Sequence, residues 1–200
     1  MKSLAIISLL IVCSAVKVPY DMDISWEVDG DTVTFTYSIA VQTFNTYGWS
    51  GMGIKQCKDG PKMANGDYVS IVYRNEQGDW EMADRHGVRN GSPKTDEEQD
   101  GEFSLTDMAY LGIVDSYAKF TWKRKLDTDD DMDTELKVDK HFYLQWAIGD
   151  YEAGVIKHHK ESASKTVIFT ADSSQPNSEP ECIIEPEEPE EIASFLSMAN

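Results

Sequence analysis

Basic residues are scarce in this chain. Across 200 residues there are 18 Lys and Arg against 36 Asp and Glu, a formal net charge of −18. Such a surface repels nucleic acid and anionic membranes, which excludes both as expected partners and favours a basic protein face instead. Long apolar runs are also missing. The stretch from Leu4 to Val12 is far shorter than the about 20 residues a membrane span needs, and no later segment exceeds it. It follows Met1-Lys-Ser and precedes Cys13-Ser-Ala15, the layout of a secretory signal peptide occupying residues 1–15. Cysteine is rare: Cys13 falls in that leader, leaving Cys57 and Cys182. In an oxidising compartment these pair most simply with each other, two separate thiols or an intermolecular bond being the alternatives. Hydrolase signatures are lacking as well, with no Gly-x-Ser-x-Gly, no His-Glu-x-x-His and no phosphate-binding loop. The expectation is therefore a module without its own catalytic site.

No segment holds a sustained 3.6-residue apolar period, whereas two-residue alternation recurs. Val33, Phe35, Tyr37 and Ile39 face one way along a strand whose other face is Thr32, Thr34, Thr36 and Ser38. Asp29-Gly-Asp31 makes a hairpin turn back to a strand from Ile24 to Val28. Further strands are expected at Trp49–Gln56, Asp67–Tyr73, Trp80–Ala83, Tyr117–Lys125, Phe142–Ile148 and Lys165–Thr170. Short strands at this spacing predict an all-β antiparallel sandwich of immunoglobulin-like type over residues 16–171. Residues 172–200 are Pro- and Glu-rich, an acidic extended tail unable to bury a core, whose end at Ile192–Met198 offers one or two helical turns to an assembly partner.

Within this frame a few residues stand out. Met63 sits on a polar, Gly-rich loop with little core to fill, so it is either a gap-filler or a ligand. His158-His159 is placed in a loop before the last strand; neighbours on extended chain point to opposite sides, so at most one enters a given pocket. His86 and His141 read as surface or turn residues. Asp127, Asp129 and Asp131 have the alternate spacing of a calcium loop, but Met132 stands where Gly is required and Val138 where Glu is required. The expectation there is an acidic turn capping a hairpin. Asn90-Gly-Ser92 is a glycosylation sequon.

Several stretches together resemble the DOMON domain, an extracellular β-sandwich family, from about Ile24 to Ala171. They are Ser25-Trp-Glu-Val-Asp-Gly-Asp31, Gly48-Trp-Ser-Gly-Met-Gly53, Met63-Ala-Asn-Gly-Asp67, Asp84, Phe120-Thr-Trp-Lys-Arg124 with Asp127, Asp129 and Asp133, and Trp146-Ala-Ile-Gly149 before the histidine pair. The family's cytochrome branch holds haem b between a Met and a His. The resemblance carries those roles to Met63 and His159, with His158 as the alternative. It departs at Lys62, beside the Met, and after His159, where Arg-Gly is replaced by Lys160-Glu161. A thioether and an imidazole filling both axial positions leave no open iron site, so the function implied is one-electron relay to a separate protein redox partner. The other reading is a haem-free module that binds carbohydrate, through aromatics such as Trp49, Tyr68 and Trp80, or joins an extracellular complex.

Overall fold

The structure is a computed structural model describing residues 16–18, 21–62, 66–73, 79–87, 94–171 and Cys182. The leader, Met63, Asn90 and, apart from Cys182, the tail lie outside the described residues. Two antiparallel sheets face each other, as the alternation predicts. One is ordered β1 (Val16–Val18), β2 (Met22–Asp29), β3 (Thr32–Ala40), β9 (Tyr117–Lys125), β8 (Thr106–Val114). The second is ordered β11 (Val155–Phe169), β10 (Lys140–Glu152), β4 (Gly48–Gln56), β5 (Asp67–Tyr73), β6 (Trp80–His86), β7 (Lys94–Thr95).

The core sits between the sheets and is made of the residues that alternation selects. Val33, Phe35, Tyr37 and Ile39 of β3 are buried, as are Phe120 and Trp122 of β9 and Phe142, Leu144, Trp146 and Ile148 of β10. Phe35 stacks on Trp122 with ring centroids 5.5 Å apart, and Trp26 stacks on Phe169 at 5.4 Å. The Tyr37 hydroxyl is paired within this interior: it meets Ser50 Oγ at 2.6 Å and donates to Met22 Sδ at 2.7 Å. Burial drives the Tyr37 pKa well above its ordinary value.

Four elements differ from the sequence reading. A helix, α1 (Val41–Tyr47), carries the chain from the first sheet to the second; with Phe44 as its one buried residue it is too short to show a period. Gly48 ends it at φ 95°, a left-handed position that glycine fills without strain. β8 was not foreseen, because its Leu111, Ile113 and Val114 are exposed and its register shifts twice. β11 begins ten residues earlier than Lys165, so the histidine pair lies on a strand and not in a loop. The acidic stretch after Lys125 caps no hairpin, since β9 and β10 belong to different sheets and residues 126–139 cross between them.

Cys57 and Cys182 are joined in a disulfide, their Cα atoms 5.6 Å apart. The bond ties a residue of the C-terminal segment to the short 3₁₀ turn (Cys57–Asp59) that follows β4.

Truncating Phe35 to Ala removes a ring that is 1% exposed and packs on Trp122 and Phe169. The expected cost is about 3–5 kcal/mol, read as a lower midpoint in urea denaturation with little change in slope.

Candidate functional site

The strands of the second sheet turn alternate residues outward, and on β4, β5 and β10 these are not the polar residues an exposed face normally carries. Trp49, Val72 and Ala147 form a small apolar cluster there, with Tyr151 and Ile156 against it. Beside them lies a small, partly open depression, lined by Trp49, Gly51, Tyr68, Arg85, Ala147 and Ile156 among others.

Glycines shape this face. A Cβ at Gly149 would meet Trp49 Nε1 at 2.6 Å, so the missing side chain is what lets the indole lie against β10. A Cβ at Gly53 would overlap the Tyr68 ring in the same way. Tyr68 then reaches Gln145, donating to Oε1 at 2.6 Å, and Gln145 Nε2 donates to the Pro61 carbonyl at 2.7 Å. Lys55 Nζ donates to the Lys62 carbonyl at 2.9 Å. The chain leading up to Met63 is thus fastened to the outward face of the sheet.

His159 lies at the other end of that face. It pairs with Gly149, which pairs with Trp49, which pairs with Val72, a row crossing four strands on one side of the sheet. From Gln145 to Gly149 is four residues of β10, roughly 14 Å at the rise of an antiparallel strand. His159 is half-buried, and burial with the neighbouring His158 lowers its pKa, which keeps the imidazole in the neutral form that ligates metals. His158 is exposed, its Nδ1 2.8 Å from the His159 carbonyl oxygen. The two rings do not point apart as extended chain predicts; their centroids are 4.1 Å apart. Register shifts around Gly149 break the alternation at this point.

A neutral imidazole stands at one end of an apolar face, the approach to Met63 is fixed at the other, and the half-buried Arg85 lines the pocket between. Trp49 Nε1 is buried with no hydrogen-bond partner among the described residues. A sugar platform is not supported by the three aromatics named for it. Trp49 and Tyr68 are 6% and 4% exposed, and Trp80 turns inward to meet Phe120 edge-on at 6.0 Å.

A second cluster lies inside the sandwich and was not recognised as a site from sequence. Asp67 of β5 and Asp84 of β6 point inward, and Arg124 of β9 reaches them from the opposite sheet. Arg124 pairs closely with Asp67, donates to the Thr134 carbonyl at 2.9 Å, and lies 3.6 Å from Asp133. Asp84 accepts from the Ser104 amide at 3.0 Å. Asp96 lies beside it, its amide donating to the Asp84 carbonyl at 3.4 Å. His86 closes this region and lies away from the outward apolar face: its Nδ1 is 2.6 Å from the Met132 carbonyl oxygen. Burial, then the nearby carboxylates, push Asp84 up to about 8 and Asp96 up to about 7. Asp67 is raised too, by burial, which outweighs Arg124.

The fold is an antiparallel β-sandwich with a small apolar cluster on the outward face of its larger sheet. A family profile for the DOMON domain matches residues 20–149, and the chain belongs to that family. No curated protein matches the chain. DOMON domains are extracellular, and the Cys57–Cys182 bond is compatible with secretion.

The raised carboxyl pKa values fix the sign of a pH dependence. Above pH 3.8 the unfolded aspartates lose protons that the folded Asp84 and Asp96 still hold, so stability falls as pH rises toward 8. The melting temperature of chelator-treated protein should therefore decline steadily from about pH 5 to pH 8. A profile that rises over this interval would contradict the burial of these groups.

Proposed function

We propose that the chain is a secreted b-type cytochrome module that relays single electrons. The observation that carries this reading is the alignment of a half-buried, neutral His159 with the apolar row of Gly149, Trp49 and Val72, facing the anchored approach to Met63. Haem b bound there would supply a one-electron carrier. His159 and Met63 would hold it, with His158 as the alternative imidazole. A soft sulfur donor would favour the ferrous state and raise the reduction potential.

The chain's own residues do the rest. Trp49, Ala147 and Ile156 would exclude water beside the bound group, and Arg85 lines the same depression. Gln145 and Tyr68 fasten the chain before Met63 to the sheet, which would hold that ligand in place. Residues 1–15 would direct export, and the acidic surface would dock a redox partner through a basic face. Residues 172–200 would form an acidic tail open to assembly, with Asn90 as a glycan site in the secreted protein.

Protein expressed with haem should show a Soret band and sharp α and β bands on reduction. His159→Ala should abolish the low-spin spectrum, and Met63→Ala should lower the potential and turn the oxidised form high-spin. A Met63→Ala variant with an unchanged spectrum removes that ligand. Colourless wild-type protein after haem supplementation favours the haem-free interaction module.

A further inference from the structure

The interior acidic cluster is built for more than one guanidinium. Asp67, Asp84 and Asp133 each offer a carboxylate oxygen, and these three atoms lie within 4.8 Å of one another. They come from β5, from β6 and from the crossover 126–139, and Asp96 approaches from the turn after β7. Against these carboxylates the cluster holds the Arg124 guanidinium, which leaves acidic groups in excess of cationic ones in a buried place. Burying charge without compensation is among the costliest things a fold can do.

Particular oxygens have been left without partners. Asp84 is 1% exposed, and while its Oδ2 accepts from the Ser104 amide its Oδ1 has no hydrogen-bond partner among the described residues. Asp96 is also 1% exposed, and neither of its carboxylate oxygens has one. The Asp133 side chain is 1% exposed, and its Oδ1 lacks a hydrogen bond, with Arg124 at 3.6 Å. Buried polar atoms are nearly always satisfied, so unsatisfied carboxylate oxygens converging on one point mark a missing electropositive group.

We propose that Asp67, Asp84 and Asp133, with Asp96 beside them, hold a divalent cation of the calcium class inside the sandwich. The donors are all hard carboxylate oxygens with no thiolate or imidazole among them, which disfavours zinc and copper. Calcium takes oxygen at about 2.3–2.6 Å in irregular geometry, so oxygens on one ion can stand up to about 5.2 Å apart, and three that lie within 4.8 Å of one another are compatible with a shared ion. Magnesium demands a stricter octahedron than donors drawn from separate segments supply. The ion would offset that excess and lock the crossover to β5 and β6, bracing the larger sheet. The assignment stands whether or not haem binds.

The test is calcium titration of the full-length, chelator-stripped protein, followed by thermal unfolding and by equilibrium dialysis. One ion per chain is expected, with half-saturation at roughly 0.1–1 mM as in extracellular modules. The melting temperature should rise by about 5 °C at 10 mM calcium, and not with sodium chloride of equal ionic strength. Asp84→Asn keeps the shape and the Ser104 contact but removes an anionic ligand. It should weaken calcium binding at least tenfold, yet in chelator melt at or above the wild-type temperature. Asp129→Asn, an exposed acid on the same crossover, should keep the wild-type response. The proposal is overturned if the wild type shows no saturable shift, if Asp84→Asn responds like wild type, or if Asp129→Asn abolishes the effect. Should Asp84→Asn fail to fold, dialysis of the wild type decides: one bound ion supports the site and none removes it.

Discussion

A guanidinium from one sheet closes on a carboxylate from the other in the interior of this sandwich, and much of the rest depends on that contact. Arg124 lies on the inward face of β9 in line with Phe120 and Trp122, and Asp67 lies on the inward face of β5 in line with Val69 and Ile71. Removing Arg124 would strand buried carboxylates, at a cost of about 3–5 kcal/mol. The pair fixes the relative placement of the sheets at that end and gives the crossover 126–139 something to close over. The Thr134 amide and carbonyl both bond into it.

Asp67 is also the first residue of β5, one step after Gly66, where the loop containing Met63 rejoins the sheet. The inward half of β5 is therefore electrostatic, while the outward half, through Tyr68, fastens that loop's other end by way of Gln145 and Pro61. One strand serves an interior charge cluster and an exterior apolar face with alternate residues. The two-residue period of a strand makes that economy possible.

Where the core was concerned, the sequence was easy to read. Strict alternation in β3 and β9 picked out Phe35, Tyr37, Phe120 and Trp122, all now fully buried, and the bounds of β5 and β9 matched. The candidate site was legible in part. Trp49 and Gly149 carried a family pattern, but only the register shows that they share a row with His159. β11 was misread because its middle is Lys157 to Lys165, mostly exposed polar residues without an apolar face. The acidic cluster escaped because abundant carboxylates hid the few that matter. The signal was there nonetheless: Asp84 alternates with Met82, Asp67 with Val69, and Arg124 with Trp122, charged residues of opposite sign on the inward register of different strands.

The polarity that concealed β11 has a use of its own. A strand at the margin of a sheet offers a row of free amides and carbonyls to any passing copy. Here the six-stranded margin carries His158, Lys160, Glu161 and Lys165 along its length, and on the five-stranded sheet the regular spacing of β8 is interrupted twice. Lateral stacking of sandwiches into fibrils is discouraged at these two margins, one on each sheet.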